Sequence, residues 1–179
     1  MQTALVPGSL QAIAKQDGKS IAETFLGADA IILVDVSGSM SGSPFDQACG
    51  ELRKLQADLP GKVAVVGFSD APEFAPSGRP RFSSGGTDLA RALAFVHVAD
   101  GCGVRFIVIS DGYPNDPDAA LKEASTFESR IDCVFIGPEG DSGAAFLKKL
   151  AAVSGGQYSK NQVGEVAERA KQLLLVAAS

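Results

Sequence analysis

Four apolar runs set the tightest limit on how this chain folds: Ala30-Ile31-Ile32-Leu33-Val34, Val63-Ala64-Val65-Val66-Gly67-Phe68, Phe106-Ile107-Val108-Ile109 and Ile131-Asp132-Cys133-Val134-Phe135-Ile136. Each has the length of a strand, and stretches with helical spacing lie between them. That alternation is the βαβ rhythm of a parallel sheet. Right-handed crossovers then place helices on both faces. The sequence predicts an α/β, Rossmann-like, doubly wound and mostly parallel sheet.

The connecting segments carry their own signals. Residues 43–58 read as a helix with Ser43 as N-cap, Pro44 in the first turn and Asp46 at the capping-box position. Residues 69–84 contain Pro72, Pro76 and Pro80, which leaves room only for a short edge strand. Helical spacing resumes at 88–98, and a strand at 105–111 follows. Asp116-Pro117 caps a helix running to about residue 129, a further helix covers 143–153, and a last strand covers 157–159. Val163, Val166, Ala167, Ala170, Leu173 and Leu174 share one helical face. In 9–26, two short amphipathic stretches broken by Asp17-Gly18 pack outside the sheet; a partner-binding helix is the alternative. The expected organisation is one domain at 28–179 preceded by a helical extension at 1–27.

The first strand opens into Asp35-Val36-Ser37-Gly38-Ser39-Met40. Side chains alternate along an extended segment, so Asp35, Ser37 and Ser39 converge while Val36 and Met40 turn toward the core. Gly38 lets the backbone bend around the point of convergence. Two more segments bring oxygen ligands: Thr87 in Gly85-Gly86-Thr87-Asp88-Leu89, and Asp111 at the end of the strand from Arg105. Carboxylates and hydroxyls without sulfur or nitrogen suit Mg²⁺, Mn²⁺ or Ca²⁺ rather than zinc or copper.

Asp-x-Ser-x-Ser followed by a distant Thr and a distant Asp resembles the signature of the von Willebrand factor A (vWA) domain and its metal-ion-dependent adhesion site. The resemblance runs from about Ala28 to near the C-terminus. It implies that Asp35, Ser37, Ser39, Thr87 and Asp111 hold a divalent cation, with the hydroxyls ligating directly and the carboxylates often acting through water. It also implies that the strands ending at Asp35 and Asp111 lie side by side where the winding reverses, the place where open α/β sheets bind ligands. The implied function is a protein-binding module, in which a partner's Asp or Glu reaches the cation and no catalysis occurs. The resemblance also admits an AAA+ ATPase assembly as partner. Met40, Ser41 and the loop at 113–116 are candidates for the rim of the contact. Two carboxylates facing one cavity repel, so one holds its proton to higher pH and metal affinity weakens in acid.

Composition excludes other classes. The chain has 179 residues, enough for one domain with a full core. It is 45% apolar and 7% aromatic without Trp, so Ala, Val, Ile and Leu build that core. A net charge of −5 without a Lys/Arg run offers nothing to a phosphate backbone, and nucleic acid is not expected as a partner. No apolar stretch reaches membrane-spanning length and the first residues lack a signal-peptide pattern. Cys49, Cys102 and Cys133 are widely spaced and read as free thiols, with Cys133 in a strand core. A reducing, cytoplasmic compartment is the default.

The rival function is a metal-dependent hydrolase or phosphoryl-transfer enzyme using the same site. An aspartyl-nucleophile phosphatase requires Asp-x-Asp after the first strand, where Ser37 stands instead. His97 lies ten residues past Thr87, too far along its helix to serve as general base. Nucleotide binding lacks both a Gly-x-Gly-x-x-Gly after the first strand and a Walker loop.

Overall fold

A computed structural model of the chain describes residues 20–59, 62–138 and 141–160. The first expected amphipathic stretch and the helical face at 163–174 lie outside them. The elements are α1 (Ile21–Leu26), β1 (Ala30–Asp35), α2 (Ser43–Asp58), β2 (Val63–Phe68), β3 (Pro72–Phe74), α3 (Leu89–Val96), β4 (Arg105–Ser110), α4 (Pro117–Ser125), β5 (Ile131–Phe135), α5 (Ser142–Ser154) and β6 (Tyr158–Lys160). Single 3₁₀ turns occupy Gly38–Met40 and His97–Ala99.

The sheet order is β3-β2-β1-β4-β5-β6. β1 pairs in parallel with both β2 and β4, β4 with β5, and β5 with β6, while β3 runs antiparallel on the edge. The chain winds outward from β1 to β2 and β3, then returns to β4 on the other flank of β1. The winding therefore reverses between β1 and β4. All six residues of β1 are buried, which the central strand of a sheet covered on both faces requires.

Alternation along the strands divides the core in two. Ile31, Leu33, Phe106, Val108 and Phe135 face α3, α4 and α5. Ile32, Val34, Ile107, Ile109 and Val134 share the opposite cluster with Ala48, Leu52 and Leu55 of α2. α1 packs against the first cluster, as the amphipathic reading of residues 21–26 anticipates. Its Phe25 is 1% exposed and meets Phe74 and Phe95 edge to face at 5.6 and 5.5 Å. Ser20 and Glu23 form its capping box.

Three local expectations change. Ser43 is the first residue of α2 and not its cap; Gly42, at φ 76, takes that position and the capping box expected with Asp46 does not form. The positive φ there requires glycine. α4 stops at Ser125, short of residue 129: Thr126 folds back onto the Glu123 carbonyl, and Asp100 takes the backbone N–H groups of Glu128 and Ser129. Met40 is fully buried, so it belongs to the core and not to a contact rim.

Candidate metal centre

β1 and β4 end side by side, and the loops that follow them meet at the reversal of winding. Asp35 closes β1 fully buried. Its Oδ2 accepts the Ser110 hydroxyl at 2.6 Å and its Oδ1 accepts the Ser37 N–H at 3.0 Å. The second contact is an Asx-type turn. It carries the chain into Ser37 and Ser39, whose hydroxyls stand 3.1 Å apart. Ser37 is buried and Ser39 is exposed, so the pair leads from the interior to the surface.

Thr87 reaches the same place through the backbone. Gly38 donates to the Gly85 carbonyl at 3.0 Å, which presses the loop before α3 onto the loop after β1. Asn115 then holds Thr87 at two points: its Oδ1 accepts the Thr87 N–H at 2.9 Å and its own N–H reaches the Thr87 carbonyl at 2.8 Å. Asp70 accepts the Gly86 N–H at 3.0 Å. Asp88, not Thr87, caps α3 by accepting from Arg91 N–H at 3.0 Å. The Thr87 hydroxyl has no capping duty.

Asp111 follows β4 and is 8% exposed. Ser110 ties its loop down, because its hydroxyl accepts the Gly112 N–H at 2.9 Å while donating to Asp35. Gly112 has φ 80, and a Cβ there would strike the backbone of Gly143 at the start of α5; a Cβ on Gly143 would in turn strike the Asp111 carbonyl. Only glycine fits either position. Beyond them Tyr113 hydrogen-bonds Asp141, the cap of α5.

The electrostatics follow from burial. The Asp35 carboxyl lies above its ordinary pKa chiefly because burial disfavours its charge; Ser110 and Ser37 pull it down and the Asp111 charge adds a further upward push. Asp111 is also raised, first by burial, with Ser39 pulling down and Asp141 pushing up. Mutual repulsion, the cause expected from the sequence, raises Asp35 as anticipated but is smaller than burial. One buried oxygen, Asp111 Oδ1, has no hydrogen-bond partner. Among the described residues Glu51 Oε2, Ser159 Oγ and Arg105 Nε are likewise unpartnered; the other Glu51 oxygen pairs with Lys54 at 2.8 Å and the Arg105 guanidinium with Asp132 at 2.9 Å.

The five expected residues thus lie on three loops that touch one another. No group of three or more His, Cys, Asp or Glu side chains is gathered for a metal among the described residues, so any cation here depends on hydroxyls. The donor set fits a hard cation: two carboxylates, one with an orphaned oxygen, beside alcohol oxygens. His97 is engaged elsewhere, its Nδ1 2.9 Å from Glu123 Oε1 and its ring stacked on Phe127 at 4.5 Å. The sequence does not single out Ser110 or Asp70, and marks Asn115 only within the rim loop at 113–116. The signal available was their place at or just past strand ends; the hydrogen bonds that give them roles span 75, 28 and 16 residues.

No family model matches the sequence, and no curated protein does. Solved structures do match. The von Willebrand factor type A from Catenulispora acidiphila is 19% identical at TM-score 0.61, over 80% of this chain and 41% of that one. The vWF domain of the type V pili tip protein Mfa5 from Porphyromonas gingivalis is 12% identical at TM-score 0.62, over 84% of this chain and 96% of that one. A point mutant of the PilB minor pilin from Streptococcus sanguinis is 10% identical at TM-score 0.61, over 84% of this chain and 62% of that one. The chain therefore spans less than two thirds of the first and third. At these identities the likeness shows the fold, which is vWA-like.

Proposed function

We propose that this vWA-like chain is a metal-dependent protein-binding module, in which Asp35, Ser37, Ser39, Thr87 and Asp111 hold a divalent cation, Mg²⁺ by preference. The observation that carries this reading is the buried, unpartnered Oδ1 of Asp111, whose carboxyl interacts with the Ser39 hydroxyl and with Asp35. Leaving a buried carboxylate oxygen unsatisfied costs about 1–3 kcal/mol or more, a burden relieved by a positive ion. When bound, such an ion offers a Lewis-acidic centre to an anionic oxygen. Ser37, Ser39 and Thr87 present neutral oxygens, which leave that charge largely uncompensated, and Asp35 and Asp111 orient the hydroxyls around it. A carboxylate from an Asp or Glu of another protein is the ligand this arrangement suits.

The likeness to the vWF domain of a pili tip protein supports a protein partner. No helix among the described residues is long and apolar enough to cross a membrane. Cys49, Cys102 and Cys133 are free thiols, which supports a reducing compartment. An AAA+ ATPase assembly is one such partner. Calorimetric titration with Mn²⁺ tests the site: Asp35→Ala should bind none and keep its fold by circular dichroism, and unchanged affinity would overturn the assignment. Pull-down with Mg²⁺ or chelator tests the partner, which should be lost on chelation. Hydrolysis of p-nitrophenyl phosphate that requires the metal and disappears in Asp35→Ala would replace this reading with an enzymatic one.

A further inference from the structure

Beside the candidate cation site lies a second polar hollow that the reading above does not use. It is a cavity of about 130 Å³ walled by Arg79, Arg81, Glu73, Ser69 and Ser83, with Val36 and Pro80 among its apolar lining. The loop that forms it runs from the middle of β2 to the carboxyl end of β1. Ser83 donates to the Val36 carbonyl at 3.0 Å, and Ala75 to the Val65 carbonyl at 2.7 Å.

The hollow and the cation site share a wall. Val36 stands between Asp35 and Ser37, and the Ser69 carbonyl accepts the N–H of Asp88, next to Thr87, at 2.7 Å. Arg79 is exposed and forms no ion pair among the described residues. Arg81 is 3.9 Å from Glu73, with side chains 89% and 73% exposed, a pairing too solvated to hold it. Ser69 and Ser83 hydroxyls are 3.3 Å apart, long for O–H···O, so both can turn to a ligand. Two guanidinium groups against the single carboxylate of Glu73 leave the lining of this small cavity net positive, and with two hydroxyls it can receive a carboxylate, which arginine grips with paired N–H donors.

We propose, resting on the cation-mediated reading above, that the partner segment carries two acidic residues: one for the cation and a second for the Arg79–Arg81 hollow. Charge complementarity orients that segment. The flank at the hollow sets Arg79 and Arg81 against Glu73, whereas Asp116 and Asp118 stand exposed past Asn115 on the other flank. The second acid therefore extends away from α4 and toward β3. Side chains on one face of an extended segment recur about every 7 Å, so the two acids lie roughly two to four residues apart.

Random peptides displayed on phage and selected against the full chain test this. With Mg²⁺, the enriched peptides should carry paired acids at that spacing. Selection on Arg79→Gln/Arg81→Gln should enrich single-acid peptides instead, and this variant should bind a resynthesised paired-acid peptide about tenfold more weakly by fluorescence anisotropy. Both arginines are exposed, and an unchanged melting temperature would show that the fold is intact. Mg²⁺-dependent enrichment of single-acid peptides, equal in both proteins, would overturn the second subsite and leave the cation reading standing. Enrichment unaffected by chelator or by Asp35→Ala, or no enrichment at all, would overturn both.

Discussion

Asp132 and Asp111 are both buried, on neighbouring strands, and the fold treats them in opposite ways. Asp132, near the amino end of β5, pairs with Arg105 at 2.9 Å and accepts the Gln157 N–H at 2.9 Å. Asp111, past the carboxyl end of β4, has an oxygen with no partner and hydroxyls for company. Asp29 and Asp100 extend the pattern at the amino end. Asp29 accepts the Lys62 N–H, and Asp100 accepts the Glu128 and Ser129 N–H groups at 2.7 and 2.8 Å. Carboxylates that hold the fold are supplied with donors. Among the described residues no cationic side chain pairs with Asp35 or Asp111 at the other end, and that unbalanced charge is the property a cation would complete.

Removing the countercharge at the amino end should have the largest effect. Arg105→Met leaves Asp132 buried and unpaired, and urea denaturation should register a loss of about 3–5 kcal/mol. Asp111→Asn, which removes charge at the end that lacks its complement, should leave the metal-free protein unchanged or slightly more stable in the same assay.

Adding the cation is the next test. At a hundredfold excess over its dissociation constant, Mg²⁺ should stabilise the wild type by about 2.7 kcal/mol. Asp111→Asn should show none of that gain in thermal melts. An equal gain in both proteins would erase the distinction between the two ends.

A smaller effect belongs to the support of Thr87. Asn115→Ala removes the side-chain half of its two-point latch, and Mn²⁺ affinity should fall about tenfold by calorimetry. An unchanged affinity would mean that Thr87 is held well enough by the loop backbone.

The smallest expected effect is the dependence on pH. Asp35 and Asp111 have raised pKa values, so protonation favours the folded state, and their unfavourable contribution fades as pH falls through the raised values toward the ordinary carboxylate range. Asp100 runs the other way. Burial pushes it up, but the N–H groups of Glu128 and Ser129 outweigh that and lower it, so its contribution is present above the ordinary value and lost as pH falls through the lowered one. As pH falls from neutrality toward the ordinary carboxylate range, chelated wild type should gain stability relative to Asp35→Asn/Asp111→Asn, followed by denaturant titration. Metal affinity should weaken over the same interval.

The comparison also explains what could be read from the sequence. The strand runs and the Asp-x-Ser-x-Ser loop are local: β-branched continuity and a two-residue repeat need no partner to be recognised. The edge strand at Pro72 was legible for the same reason, since proline bars an interior position. Gly42 displaced Ser43 as the cap of α2 because a turn with positive φ overrode a side-chain preference. The latching roles of Ser110 and Asn115 cannot be read locally, because they exist only once β1 lies beside β4 and the loop before α3 lies against the one before α4. The sequence shows two aspartates and suggests repulsion, which is present at Asp35; burial, a product of the assembled layers, adds the larger upward push.

Gly112 and Gly143 abut backbone to backbone, with no space for a methyl group at either. The segment bearing Asp111 and the first turn of α5 are therefore keyed together like tooth and notch. Drift in the amino-acid sequence is barred at both places at once, so a search for remote cousins of this chain gains more from demanding that matched glycine pair than from the short Asp-x-Ser-x-Ser string.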